Sequence, residues 1–359
     1  MKVLYLTNLP SSYKVDFFNE LGKKCELTVL FERDSATNRD NKWQNFKFDN
    51  FEGIFLNGIK IGEENSLSFK VKKYILKGKF DKIVIGGYGT LTSMYALNLL
   101  KRKNIPYILS VDGGIVKGEK GFKYKIKKYF IGGASKYLCP SQKTKEYLLY
   151  YGATEENILF YPFTSLKEKE IVLVNENEKI NLKQEVLSTN NKVLLTVGQF
   201  IKRKGFDLLI KSANSLTDYL ILIVGGTPTE EYLALIEENS IKNVQFMPFL
   251  DKETMNKIYS LADLFVLPTR EDIWGLVINE AMAKGLGVIT TNNCIAGLEL
   301  VKEGENGFII DTESVEKIVK SVRLAEEKGL KNLGKKSIEL IKNYTIESMT
   351  KIIYEAFED

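Results

Sequence analysis

Two carboxylates, Asp272 and Glu280, stand with seven residues between them in the stretch of the chain best suited to chemistry. Glu280 interrupts the run Leu276, Val277, Ile278, Ala281, Met282, Ala283, a helical segment apolar around most of its circumference and therefore buried. A carboxylate in such a place needs donors, which either the protein or a ligand supplies. Glu280 lies five residues beyond Gly275, roughly 7 to 8 Å along a helix axis, which is the reach from a phosphate to a ribose. The amides of Gly275, Leu276 and Val277 at the helix start offer free N–H groups and partial positive charge to an anion. A diphosphate at that start, a ribose diol on Glu280 and a polyhydroxyl group near Asp272 are, in order, the parts of a nucleotide sugar.

Hydrophobic patterning places these residues on a strand at 264–267, a loop at 268–274, a helix at 276–284 and a second strand at 288–291, one repeat of a parallel sheet. The segment DIWGLVINEAMAKGLGVITT resembles the donor-binding signature of the retaining glycosyltransferases of family 4, which have the GT-B fold. The resemblance implies that the acidic pair contacts donor sugar and ribose, and that Gly275 opens the phosphate-binding helix. The family usually has Glu at the first acidic position. Here Asp272 stands there, preceded by Glu271, so both are candidate sugar contacts, and Trp274 in the same loop is a further donor-side candidate.

The loop 198–205 resembles the family's second donor element, in which a Lys just before a Gly binds the donor phosphates. Lys204 fits that position, Arg203 lies beside it, and Gln199 stands where a basic residue is common. Residues 248–250 resemble the segment whose backbone meets the nucleobase. Many members have a His near the reacting sugar, but this chain has none, which also excludes His triads and His metal sites. Asp112, after a strand ending at Val111, sits about where that His is expected, and a carboxylate can position or deprotonate an acceptor hydroxyl; a turn or cap role is the competing reading. The implied catalytic set is Asp112, Asp272 and Lys204. No Asp-x-Asp occurs, so the expected cofactors are none: no metal, with the nucleotide sugar as co-substrate.

A chain of 359 residues with 44% hydrophobic composition suits two domains. Strands at 3–7, 25–32, 82–85, 107–111 and 137–139 alternate with helices near 15–22 and 91–102, so the N-terminal half is α/β with a parallel sheet. A second alternation runs from 192 to 310. Lys- and Glu-rich residues 165–191 lack sustained periodicity, and the connection between the domains is placed inside them. The expected architecture is GT-B: two Rossmann-like domains facing an interdomain cleft, 1–170 for the acceptor and 190–340 for the donor. A helix within 341–359 then crosses back to the N-terminal domain. Ligands of such sheets bind at the carboxyl ends of the strands, so Asn8, Ser11, Tyr13, Gly87, Tyr88 and Asp112 are the candidate acceptor contacts. Gly86-Gly87-Tyr88-Gly89 lacks the third glycine of a dinucleotide fingerprint, Thr92 standing in its place.

Charge is divided unevenly. Residues 1–165 hold 27 Lys and Arg against 16 Asp and Glu, a net +11, and the remainder holds 24 against 30, a net −6. Residues 117–130 interleave Lys with Phe122, Tyr124, Ile126, Tyr129 and Phe130, which suits an anionic membrane surface or, alternatively, a solvated lysine face. No nucleic-acid motif accompanies the charge. The longest apolar runs are too short to span a bilayer and no signal-peptide pattern is present, so a cytoplasmic location, peripheral on the inner membrane face, is expected. Cys25, Cys139 and Cys294 are unpaired by spacing and read as semi-buried thiols. The function expected is retaining transfer of a sugar from a nucleotide diphosphate donor to a glycan or lipid-linked acceptor in cell-surface polysaccharide or glycolipid synthesis. The alternatives are a non-catalytic nucleotide-sugar-binding protein and a GT-B phosphorylase or epimerase.

Overall fold

The apolar runs of the N-terminal half become strands buried on both faces, the condition under which parallel sheets form. In this computed structural model, residues 1–34, 46–62 and 65–358 are described. They divide into one unit of Met1–Ser165 with Thr345–Asp359 and a second of Leu166–Tyr344.

The first unit contains, in order, β1 (Lys2–Thr7), α1 (Ser12–Leu21), β2 (Glu26–Phe31), β3 (Glu52–Phe55), β4 (Ile59–Ile61), β5 (Asn65–Leu67) and α2 (Val71–Lys77). There follow β6 (Lys82–Gly86), α3 (Leu91–Arg102), β7 (Ile108–Ser110), α4 (Gly121–Ile131), β8 (Lys136–Cys139), α5 (Gln142–Tyr150) and β9 (Ile158–Phe160). Seven strands form a parallel sheet in the order β3-β2-β1-β6-β7-β8-β9, while β4 and β5 make a small antiparallel pair. The chain winds outward from β1 to β3 and then resumes at β6 on β1's other side. A crevice therefore opens at the carboxyl ends of β1 and β6, the switch point where ligands of such sheets bind.

The second unit runs α6 (Glu176–Leu187), β10 (Lys192–Val197), α7 (Phe206–Ser212), β11 (Tyr219–Val224), α8 (Glu230–Glu238), β12 (Val244–Met247) and α9 (Lys252–Leu261). It continues through β13 (Leu264–Leu267), α10 (Leu276–Ala283), β14 (Gly287–Thr291), α11 (Ile295–Leu300), β15 (Gly307–Ile310), α12 (Val315–Lys328) and α13 (Leu330–Ile341). Its six parallel strands are ordered β12-β11-β10-β13-β14-β15, so β10 and β13, which lead into the loops bearing Lys204 and Asp272, are neighbours. The last helix, α14 (Ile346–Glu358), belongs to the first unit and buries Met349, Ile353 and Phe357 as it packs on α1.

Residues 165–191, inside which the sequence places the connection, also form α6. Polar contacts rather than an apolar stripe stabilise this helix, which is why periodicity missed it. Asn175 caps it by accepting from the Glu178 amide at 2.9 Å, and Lys183 reaches Asp263 at 2.6 Å with Lys179 at 3.6 Å. Cys25, Cys139 and Cys294 are buried and form no disulfide among the described residues, more enclosed than the semi-buried thiols expected.

Candidate functional site

The carboxyl ends of β10 and β13 hold the densest polar cluster of the second unit. Gly275 starts α10 with φ 103°, and no side chain caps the helix. A Cβ there would stand 2.9 Å from Cys294 Sγ, so only glycine lets the loop turn this closely into the helix. The first-turn amides of α10 have no preceding turn to bond to. The run Ile278, Ala281, Met282, Ala283 is buried as its composition requires.

Asp272 is fixed by its backbone, donating to Asn293 O at 2.9 Å and accepting from the Ile295 amide at 3.2 Å. Its carboxylate pairs with Lys204 Nζ at 2.5 Å and with Arg203 Nη1 at 3.7 Å. Both bases come from the turn Lys202–Lys204, 68 residues upstream in the case of Lys204. Gly205 closes that turn with φ 69°, and a Cβ on it would meet Pro268 O at 2.0 Å. Bare backbone is therefore what lets the two loops touch.

Residues outside the expected set lock this junction. The Arg270 guanidinium donates to both Asp207 oxygens at 2.8 and 2.9 Å, to Lys202 O at 2.7 Å and to Glu313 at 2.9 Å. Burial opposes the Asp207 charge, but the Arg270 hydrogen bonds and charge prevail and hold its carboxyl below the usual range. The Thr269 hydroxyl and the Arg270 amide donate to Arg203 O at 3.0 and 2.8 Å, and Arg203 Nη1 donates to Glu271 O at 2.6 Å. Arg203 and Lys204 thus arrive at α10 already oriented. A local motif carries no trace of this clamp, because Asp207, Arg270 and Glu313 lie on three separate segments.

Of the two sources of donors left open for Glu280, the protein is one: Tyr259 OH, from α9, donates to Glu280 Oε2 at 2.9 Å. Burial, then the Glu280 charge, push the Tyr259 phenol well up. Trp274 is placed differently from its expected donor contact. It is 4% exposed and donates its indole N–H to Asn279 of α10 at 3.0 Å. Leu276 and Val277 are half-buried and Gln199 is exposed. Cys294 Sγ bonds Trp274 O at 3.1 Å, and burial, then the Asp272 charge, push its thiol up to about 12. After β12, Phe249 is 52% exposed against Gly226.

In the first unit the expected acceptor residues all fall at the carboxyl edge. Asn8 accepts from Arg33 at 3.1 and 3.2 Å, and Tyr13 meets Phe163 edge-on at 5.6 Å. Ser11 is buried at the α1 start with its hydroxyl unpartnered. Gly87 has φ 106° with open space around it, and Tyr88 OH bonds Tyr147 OH. Asp112 accepts from Tyr161 OH at 3.2 Å and lines a small pocket with Thr7, Lys14 and Ser110. Burial, then the Asp112 charge, push Tyr161 well up. The loop 86–90, which the sequence also places at the acceptor site, ends at Thr90 on the same edge, and there sequence reading overlooked Glu32. Among the described residues no group of three or more His, Cys, Asp or Glu could hold a metal ion.

Residues 177–345 match the family model described as glycosyl transferases group 1. The chain is 28% identical over 223 residues, 59% of its length, to alpha-galactosylglucosyldiacylglycerol synthase of Streptococcus pneumoniae, and spans only 58% of that relative. It is 27% identical over 259 residues to the capsular polysaccharide biosynthesis glycosyltransferase CapM of Staphylococcus aureus, covering 65% of each chain. Among solved structures, Anabaena Alr3699/HepE in complex with UDP superposes with a TM-score of 0.79 at 16% identity, with 100% of each chain covered.

Proposed function

We propose, from the match of residues 177–345 to the glycosyl transferases group 1 model in a chain of GT-B fold, that the protein is a retaining glycosyltransferase. It moves a sugar from a nucleoside diphosphate donor to a glycan or lipid-linked acceptor. The observation that carries this reading is the meeting of Lys204 and Arg203 with Asp272 at the start of α10. HepE, which shares the fold, was solved with UDP and with UDP-glucose, and the relatives named above make a glycolipid and a capsular polysaccharide.

In this reading the donor diphosphate lies on the α10 amides between Lys204 and Arg203. Asp272, with Glu271 beside it, takes sugar hydroxyls, and Glu280 takes the ribose diol. Lys204 swings little: it exchanges part of its bond to Asp272 for a phosphate oxygen. Negative charge grows on the diphosphate as the C1–O bond breaks, and pre-oriented cations and amides stabilise that charge more than they stabilise the ground state. The acceptor oxygen bonds C1 on the face the diphosphate leaves, and its proton passes to the departing phosphate oxygen. Asp112, steadied by Tyr161, positions the acceptor hydroxyl. No metal takes part in this scheme.

Incubating the protein with UDP-, GDP- and ADP-sugars, with and without a membrane extract of the source cells, tests the proposal. Nucleoside diphosphate release with sugar transferred at unchanged anomeric configuration is expected. Release of sugar only to water or phosphate, or epimerisation of the donor, would refute it.

The acceptor side also points to a membrane surface. No described helix is long and apolar enough to cross a membrane. On α4, however, Phe122 is 79% exposed beside exposed Lys120, Lys123 and Lys125. Lys127 faces inward to Glu119 at 2.6 Å and is no part of that surface. Each lysine near an anionic bilayer contributes about 1 kcal/mol. Replacing Lys120, Lys123 and Lys125 by serine is expected to weaken sedimentation with phosphatidylglycerol vesicles by roughly 100-fold, and unchanged sedimentation would count against a membrane-facing α4.

A further inference from the structure

One carboxylate on the first unit's carboxyl edge has no place in the scheme above. Glu32 directly follows β2 and is 2% exposed. Its amide donates to Thr7 O at 3.0 Å, which ties it to the end of β1. Thr90 Oγ1 donates to Glu32 Oε1 at 2.6 Å, whereas Oε2 is buried with no hydrogen-bond partner. Thr90 follows β6 and caps α3, its hydroxyl also accepting from the Ser93 amide at 3.3 Å. Because the strands lie in the order β2-β1-β6, the Glu32–Thr90 bond arches over the end of β1 and spans the switch point.

A brace between β2 and α3 would explain Oε1 but leave Oε2 unexplained. A buried carboxylate oxygen without a donor costs free energy, and such groups persist where a ligand completes them. Lys14 and Arg33 are nearby, yet Lys14 Nζ donates to Thr7 Oγ1 at 2.9 Å and Arg33 to Asn8 Oδ1, and neither is bonded to Oε2. Burial pushes the Glu32 carboxyl up to about 7, and the Thr90 hydrogen bond, the Arg33 and Lys14 charges and the Ser93 amide moderate that rise. Desolvation with specific partners at a ligand-binding edge is the pattern of a functional carboxylate.

We propose that Glu32 and Thr90 form an acceptor-recognition pair, Glu32 Oε2 accepting a hydrogen bond from a hydroxyl of a sugar or polyol acceptor. The inference rests on the reading of the first unit as the acceptor-binding unit and adds the group that reads the acceptor. A carboxylate there favours a hydroxyl and repels a phosphate, so the neutral sugar part of a lipid-linked acceptor is what it meets. Thr90, which both donates to Glu32 and caps α3, fixes the direction in which Oε2 points.

The test uses serial dilutions of the membrane extract as acceptor at saturating donor, with UDP affinity measured in parallel. Glu32→Gln keeps the shape and the Thr90 bond but puts an N–H group where the acceptor hydroxyl would donate. The expected result is an apparent KM for the extract raised about ten- to 100-fold, with kcat, melting temperature and UDP affinity close to wild type. Thr90→Ala, which removes the hydroxyl that orients the carboxylate, provides the same KM signature should Glu32→Gln fold poorly, and Thr90→Ser restores the wild-type KM. An unchanged KM in both loss variants of an active protein overturns the inference alone. A wild-type protein that transfers nothing from any donor to the extract overturns the functional reading and this inference with it.

Discussion

Replacing Lys204 by alanine lowers kcat/KM for sugar transfer by about 100- to 1000-fold, the loss typical of removing one pre-oriented group that stabilises developing negative charge. Lys204 stands where a base, an acid and an uncapped helix start meet, 2.5 Å from Asp272. Its removal takes a full charge from the leaving diphosphate and leaves Asp272 with Arg203 at 3.7 Å. The fold survives, because the junction of the two loops is held by Arg270 and by backbone bonds that do not involve the Lys204 side chain. Steady-state rates with the active donor, beside a thermal melt, check this. A loss below about threefold in a folded protein would remove Lys204 from the chemistry.

Gly205→Ala has the second largest effect, and acts through the backbone. With φ 69°, any side chain at this position is strained by about 1 to 3 kcal/mol, and the new Cβ would also lie 2.0 Å from Pro268 O. The turn has to lift away from β13, carrying Lys204 and Arg203 off the α10 start. The expected result is a melting temperature lowered by more than about 5 °C together with loss of measurable nucleotide binding. Gly62 supplies the comparison: its φ is 67°, and nothing lies within 4 Å of the place a Cβ would take. Gly62→Ala therefore reports the conformational strain without the clash. Equal melting shifts for the two variants would show that the contact with Pro268 has no energetic weight.

The part of this site carried by one contiguous stretch was legible from sequence. The apolar run 276–283, the glycine before it and the acids at Asp272 and Glu280 specify a buried helix with a ligand-facing start, and the structure builds that helix. Alternating apolar and polar segments likewise disclosed both parallel sheets. What escaped depends on partners distant in sequence. Tyr259, one of the Glu280 partners, is on α9, and Arg270 gains its role only because Asp207 and Glu313 close on it. Trp274 beside two acids was a donor-side candidate, but the fold buries its ring and bonds its indole N–H to Asn279. Glu32 looked like any acid ending a strand, since neither its burial nor its orphan oxygen has a sequence signal. Helix α6 is held by Lys183 and Lys179 on Asp263, which no hydrophobic period can reveal.

The central claim is that the start of α10 binds a nucleoside diphosphate with Glu280 on its ribose. Calorimetric titration of UDP, GDP and ADP into wild-type protein, Glu280→Ala and Tyr259→Phe tests it most directly. The predicted result is saturable binding of one of the three by the wild type, weakened by roughly ten- to 100-fold in Glu280→Ala as charged hydrogen bonds are lost. Tyr259→Phe, which keeps the carboxylate, stays within a fewfold of wild type. No binding of any of the three, or equal affinity for wild type and a folded Glu280→Ala protein, would contradict it.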